Sequence, residues 1–263
     1  MRFIDISHWN GNIDFNSLKR DVDGVIMKLS QGSTVFDSMF DTYYQKATAA
    51  GLRVGAYVYM VANTQKTAEA EAQYALDCLR NRPLPLGLWL DVEEDKIRKV
   101  SNFDDNCVTE LKAWKNAGYN VGIYANLNWY NNYLTDRLRK YPIWIARYSP
   151  NDGSFNPSSK PDIDPYMWQY TSQGTISGVR GFVDLDEVYK TFDDEPIKDR
   201  VLFQVQVMTN LNVRENAGTE YPIVDTIITK YDVKEVKNSA DGGTWGRIDK
   251  GWINIGSKFV QRL

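Results

Sequence analysis

Leu88-Trp89-Leu90-Asp91-Val92-Glu93 is an apolar run that ends in two carboxylates. Successive side chains of an extended strand alternate between its faces. Trp89, Asp91 and Glu93 therefore share one face, and Leu88, Leu90 and Val92 take the other, toward covering helices. Two like charges this close repel, which pushes one of them toward a raised pKa. General-acid chemistry at a glycosidic bond needs such a group. The plainer reading of the same residues is a solvated start to a loop.

Around this strand, short strand patterns alternate with helical ones. Residues 2–6, 22–29, 53–61, 86–92, 120–125, 142–146, 167–170 and 181–185 read as eight strands. Residues 37–50 are predicted helical, with Phe40, Tyr43, Ala47 and Ala50 on one face and Gly51 as the cap. A second helix is predicted over 67–79, marked by Ala68, Ala72, Ala75, Leu76 and Leu79 and stopped by Pro83 and Pro85. Cys107, Leu111 and Trp114 mark a third over 103–117. A short helix is expected within 129–138, and a long irregular loop over 149–165. This order predicts an α/β fold: an irregular (β/α)8 TIM-like barrel whose second half has no room for full helices. A doubly wound sheet would want a glycine-rich first turn, and Ser7-His8-Trp9-Asn10-Gly11 supplies none.

The charged run with Pro196 over 192–199 reads as a linker. After it, residues 203–208, 224–228, 232–237, 244–248 and 251–255 are strand candidates separated by turns, and they predict a small all-β barrel. The expected division is a domain over 1–194 and a second over 204–263. The second has no concentration of catalytic residue types, which points to binding.

A chain of 263 residues with 43% hydrophobic content has ample material for a core. Its net charge of -3, without a basic cluster, shows no nucleic-acid footprint. With no run of 18 apolar residues, no membrane insertion is expected. Met1 runs straight into strand-like sequence, so no signal peptide is expected. The 16 Tyr and 8 Trp suit a carbohydrate cleft as well as a core. Cys78 and Cys107 are expected as buried free thiols, although spacing leaves a bridge between them open.

Acids recur at strand ends in one phase. Phe3, Asp5 and Ser7 share a face of the first strand, and Phe182, Asp184 and Asp186 share a face of the last. In a closed barrel these strands are neighbours, so Asp5 and Asp184 are expected to meet at the rim with Asp91 and Glu93 across from them. The plainer reading is that parallel strands often end in Asp before a loop. Such carboxylates also suit Mg²⁺ or Ca²⁺, although nothing in the sequence requires a cofactor. With His8 as the only histidine, a zinc site is disfavoured. His8 itself either lines the cleft or serves as a structural hydrogen-bonding residue. Serine or cysteine nucleophile chemistry has neither a GxSxG motif nor a second base.

Eight motifs in order carry a resemblance. Asp5-Ile6-Ser7-His8-Trp9-Asn10-Gly11-Asn12-Ile13-Asp14, Lys28-Leu29-Ser30-Gln31-Gly32 and Gly55-Ala56-Tyr57-Val58-Tyr59 are followed by Leu90-Asp91-Val92-Glu93. Then come Gly122-Ile123-Tyr124-Ala125-Asn126, Trp144-Ile145-Ala146-Arg147-Tyr148, Trp168-Gln169-Tyr170 and Val183-Asp184-Leu185-Asp186. Over residues 1–192 the chain resembles the family 25 glycoside hydrolases, the Chalaropsis-type lysozymes. One departure is Gln31, where the family usually has Glu. The resemblance implies cleavage of the β-1,4 bond between N-acetylmuramic acid and N-acetylglucosamine in peptidoglycan. It implies Glu93 as general acid/base and Asp91 as its companion at the substrate's acetamido group or the developing cation. Asp5 and Asp184 are implied as supporting acids, and Tyr57, Tyr124, Trp144, Tyr148 and Gln169 as sugar contacts. Substrate assistance with retention is the expected course.

The second region, from Leu211-Asn212-Val213-Arg214 to Gly251-Trp252-Ile253-Asn254-Ile255, resembles a bacterial SH3 domain, which implies an SH3-like barrel that binds the cell wall. A lytic module, a wall-binding module and the expected absence of a signal peptide together resemble a bacteriophage endolysin. Such a protein is made in the host cytoplasm and released to act on the wall. Two rival readings are a catalytically inactive peptidoglycan-binding protein and a chitinase-like hydrolase. The second extends its acid ladder upstream of the central pair, where this chain has Trp89 and Gly87.

Overall fold

The computed structural model describes residues 1–192, 203–239 and 242–263. The chain divides into two compact units, Met1–Asp194 and Glu195–Leu263. Most of the predicted linker, 193–199, lies outside the described residues.

The first unit is a closed barrel. Its strands are β1 (Arg2–Ile6), β2 (Gly24–Gln31), β4 (Arg53–Tyr59), β5 (Leu88–Asp91), β6 (Val121–Asn126), β7 (Ile143–Ala146), β8 (Met167–Gly174) and β9 (Val183–Val188), with β3 (Val35–Phe36) as a short hairpin arm on β2. Closure comes from β1, which pairs with both β2 and β9. Helices α1 (Phe15–Leu18), α2 (Phe40–Ala49), α3 (Gln65–Leu79), α4 (Phe103–Asn116) and α5 (Leu127–Asn132) join the earlier strands. No α-helix separates β7, β8 and β9, in keeping with the expected irregular second half.

The barrel departs from eight parallel strands. Seven run the same way, but β9 is antiparallel to both β1 and β8. Only residues 175–182 separate β8 from β9. A parallel return needs a crossover of about a dozen residues or more, so the strand turns back on itself. The predicted limits of this strand were also too early by about two residues. The short helix expected within 129–138 begins earlier, with Asn126 capping it by accepting from Trp129 N, and a separate 3₁₀ turn follows at Leu138–Lys140.

Alternation along the strands sorts the side chains into two cores. Ile4, Ile6, Val25, Met27, Leu88, Leu90, Val92, Val183 and Leu185 point outward and pack beneath the helices. Phe3, Ile26, Trp89, Tyr124, Trp144, Met167 and Val188 fill the barrel interior. Trp89 lies edge-on to Trp144, with centroids 6.0 Å apart, and Phe192 closes against Trp89 at 5.5 Å. Gly122 makes room for this ring: a Cβ there would meet Trp89 Cζ3 at 2.3 Å and Pro142 O at 2.8 Å.

Helix α3 starts at a capping box on Thr64, and its face Ala68, Ala72, Ala75 and Leu79 is buried. Its Glu71 is buried too and accepts from Val61 N at 3.1 Å, tying down the chain just after β4. Burial raises Glu71 to about 7. Glu110, on α4, is fully buried and has no hydrogen-bond partner for either oxygen among the described residues. Burial, and then the Glu71 charge, hold it well above the carboxylate range. Cys107 is a buried free thiol as expected, whereas Cys78 is only half-buried.

The second unit has two antiparallel sheets. One joins β10 (Phe203–Val207), β13 (Lys230–Val233) and β17 (Val260–Arg262); the other joins β11 (Leu211–Arg214), β12 (Ile223–Ile227), β14 (Glu235–Asn238), β15 (Thr244–Ile248) and β16 (Gly251–Asn254). Val205, Val207, Val213, Val233, Ile248 and Ile253 lie in its core. The single strand predicted over 232–237 is two strands that meet at Lys234, and β11 and β17 had not been assigned as strands. No helix among the described residues is long and apolar enough to cross a membrane.

Two outcomes are expected. Gly122→Ala should force Trp89 or β7 to shift and lower stability by about 2 kcal/mol, about 5 °C in a thermal melt; an unchanged Tm would show that the interior has slack. Glu71 binds a proton in the native state to about pH 7, whereas its unfolded value is near 4.5. Its contribution to stability is therefore full below about pH 4.5 and is lost as pH rises through 7. Glu71→Gln should flatten the fall in unfolding free energy between pH 5 and 8 by on the order of 2 kcal/mol; an unaltered slope would contradict this.

Candidate active site

The barrel mouth at the C-terminal ends of the parallel strands holds a cleft of about 230 Å³. Asp5, Tyr57, Asp91, Glu93, Tyr124, Trp144, Tyr148, Gln169 and Asp184 line it. The four acids and the five implied sugar contacts thus line one cavity. The register brings them there. Asp5 on β1 pairs with Asp184 on β9, and Tyr59 on β4 pairs with Asp91 on β5, which pairs in turn with Tyr124 on β6. Asp184 stands at the beginning of its strand. It reaches the mouth because β9 runs backwards, so the expected meeting with Asp5 occurs with opposite strand polarity.

One wall is a continuous hydrogen-bonded network. Gln169 Nε2 donates to Asp5 Oδ2 at 2.7 Å. Its Oε1 accepts from Tyr124 Oη at 2.9 Å and from Tyr148 Oη at 2.6 Å. This fixes the Gln169 amide, and through it both phenols and Asp5. Trp144 is buried against Tyr124, with centroids 4.7 Å apart, and its Nε1 donates to Asp186 Oδ1 at 2.7 Å. Trp144 is therefore floor, with its indole N–H already engaged. Tyr148 is 39% exposed and offers an open ring face.

Asp186 is the site residue that sequence reasoning left out. It is fully buried, and its second oxygen meets no amide or hydroxyl donor among the described residues. Asp5, on the paired strand β1, is buried as well. Burial holds both well above the usual carboxylate range, with the Asp184 charge adding to it. The available signal was that Asp186 shares the face of Asp184; nothing in the alternation distinguishes rim from floor.

Opposite stand Asp91 and Glu93. Asp91 ends β5 and is buried, while Glu93 lies just past the strand and is half-exposed. Burial raises Asp91 well above its ordinary value, and the Glu93 charge raises it further. Burial also raises Glu93. The nearby Lys28 ammonium pulls both back down. Burial and then the Glu93 charge push Asp184 up to about 6. Asp91 Oδ1 is buried with no hydrogen-bond partner among the described residues. Buried carboxylate oxygens are normally satisfied, and an unpaired one adds to the cost of ionising Asp91.

His8 does not line the cleft. Its Nδ1 lies 2.8 Å from Asp37 Oδ2, which also accepts from His8 N at 3.0 Å, while Asp37 Oδ1 accepts from Met39 N. It is a structural hydrogen-bonding residue that ties the turn after β1 to the start of α2. Among the described residues, no group of three or more His, Cys, Asp or Glu is placed to hold a metal ion.

The model of the glycosyl hydrolases family 25 matches residues 4–179 of the chain. The chain is 32% identical over 190 residues to the autolytic lysozyme of Clostridium acetobutylicum, a match over 71% of this chain and 55% of that protein. It spans between half and two thirds of the length of the curated relatives it matches. The catalytic domain of endolysin ply40, from bacteriophage P40 of Listeria monocytogenes, has a similar structure, with a TM-score of 0.64 and 28% identity over 72% of this chain and 93% of that one. The CTP1L endolysin gives 0.62 and 28% over 72% of this chain and 66% of that one. With the acid-lined barrel mouth and a family match across most of the barrel, the chain belongs to glycosyl hydrolases family 25.

Proposed function

We propose that the chain is an N-acetylmuramidase, a lysozyme of the Chalaropsis type that hydrolyses the β-1,4 bond between N-acetylmuramic acid and N-acetylglucosamine in peptidoglycan. The observation that carries this reading is that the Asp91 and Glu93 carboxyls line one cleft at the barrel mouth, both raised by burial. The side of the Asp91 carboxyl that lines the cleft accepts from an acetamido N–H of the substrate. Held this way, the acetamido oxygen is aimed at the anomeric carbon and replaces a protein nucleophile.

Glu93 then serves as the general acid. Its raised pKa favours the protonated form, and it gives that proton to the departing glycosidic oxygen. The acetamido oxygen closes on the anomeric carbon as the C–O bond breaks, giving a cyclic intermediate. Water, deprotonated by the now-ionised Glu93, reopens the ring with net retention. A conventional retaining pair stands about 5–5.5 Å apart and uses one carboxylate as nucleophile. In the assisted course Asp91 orients the acetamido group and balances the charge that develops on it. Asp184 places further negative charge across the cleft from the developing cation. Tyr57 and Tyr148 contact sugars, while Tyr124, Trp144 and Gln169 hold the wall against which the sugars sit.

The second unit we assign to the wall. Its SH3-like motifs and its separation from the barrel support an SH3b binding module that raises the local concentration of the lytic one. The protein is then made in the host bacterial cytoplasm and released to act on the wall, as an endolysin is. A chitinase-like ladder has no support: Trp89, two residues before Asp91, is buried with its indole N–H on Leu86 O at 2.8 Å.

Glu93→Gln should lower the release of soluble fragments from purified walls by about 10³-fold and leave co-sedimentation with walls unchanged. Near-normal turnover would sink the assignment and leave a wall-binding protein. Deleting residues 204–263 should weaken sedimentation with walls several-fold, whereas unchanged pelleting would make the second unit a spacer.

A further inference from the structure

Strand β2 contains an irregularity that gives Lys28 an unusual setting. Against β4, Lys28 pairs with Tyr57 and Ser30 with Val58, so one extra residue, Leu29, is inserted between them. On a regular strand, residues three apart point to opposite faces. The bulge reverses the phase, and Lys28 and Gln31 come to the same side, with Lys28 Nζ donating to Gln31 Oε1 at 3.2 Å. The ammonium also lies 5.1 Å from the centre of the Tyr59 ring, and Tyr59 Oη donates to Glu94 Oε2 at 3.4 Å. Lys28 follows the interior residue Ile26 by two, so its stem continues along the barrel's inner face toward the mouth.

No carboxylate among the described residues lies within ion-pairing distance of this ammonium; its fixed partners are an amide and an aromatic face. The acids that feel it are Asp91 and Glu93. Asp5 and Asp184 line the opposite side of the same cleft. A carboxylate at position 31, with the same reach as the amide, would take the ammonium as its own ion-pair partner and cancel its field at the acid pair.

We propose that Lys28 is a positioning residue for the reacting pair: anchored across the bulge by the neutral amide of Gln31, its uncompensated ammonium sets the pH range over which Asp91 and Glu93 work. This rests on the reading of that pair as the reacting groups. Glu93 must be protonated and Asp91 ionised in the productive state. A nearby cation favours ionisation of both and so draws both limbs of the pH–rate curve toward acid.

The test is the pH dependence of kcat/KM for fragment release from purified peptidoglycan by the full chain. Lys28→Met should move both limbs to higher pH by about one unit, costing about tenfold on the acid side of the present optimum. Lys28→Arg should keep the native limbs. Gln31→Glu, whose site is half-exposed, should move the limbs in the same direction as Lys28→Met and stay folded. Unmoved limbs in Lys28→Met, with only kcat reduced, would overturn the proposal in favour of a purely structural lysine. Unmoved limbs in Gln31→Glu would equally overturn it, and that variant decides the matter should Lys28→Met not fold. Inactive Glu93→Gln beside unmoved limbs would defeat only this inference, whereas an active Glu93→Gln would defeat the muramidase reading beneath it.

Discussion

Asp5, Asp91, Glu93, Asp184 and Asp186 converge on one end of a barrel whose interior is otherwise filled by aromatic rings, and the cost of burying carboxyl charge there governs the site. A buried ionised carboxylate without a partner is costly, so such groups hold protons, share them or find donors. The Gln169 amide donates to Asp5 and the Trp144 indole to Asp186, and burial and the Glu93 charge hold Asp184 up to about 6. A deficit remains on Asp91 Oδ1 and on Asp186 Oδ2, which have no hydrogen-bond partner among the described residues. Burial therefore leaves the acids of the mouth short of donors and favours their protonated forms.

The same alternation that forms the barrel sets this deficit. Residues facing outward give the strands a shell to pack beneath the helices, which frees the inward positions to be large and rigid low in the barrel and polar at its mouth. Trp89 and Trp144 fill the axis so completely that Gly122 has space for no side chain. Asp186 lies buried against this floor with the Trp144 indole donating to it, and burial is the largest cause of the raised pKa values at the mouth.

Much of this was legible in the residue pattern because period two is a strong signal. The phase of Trp89-Asp91-Glu93, of Phe3-Asp5 and of Asp184-Asp186 was enough to bring three strand ends to one cavity, and the tyrosines and Gln169 followed from the motif resemblance. Strand direction was not legible, because alternation reads the same both ways; only the short 175–182 connection carried that information. Depth was not legible either, so Asp186 went unassigned although it shares a face with Asp184. The bulge at Leu29 hid the pairing of Lys28 with Gln31, since a spacing of three places two side chains on opposite faces of an ideal strand. In the second unit, β11 was quoted as a motif without being read as a strand, and β17 is only three residues long.

The central claim is that this acid-lined mouth cleaves on the reducing side of N-acetylmuramic acid. Purified peptidoglycan digested by the full chain, reduced with borohydride and hydrolysed, reports which sugar carried each new end. The account predicts that reduced muramic acid accumulates in step with loss of turbidity and that no new free amino groups form. Reduced glucosamine, or amines released without new reducing ends, would contradict it.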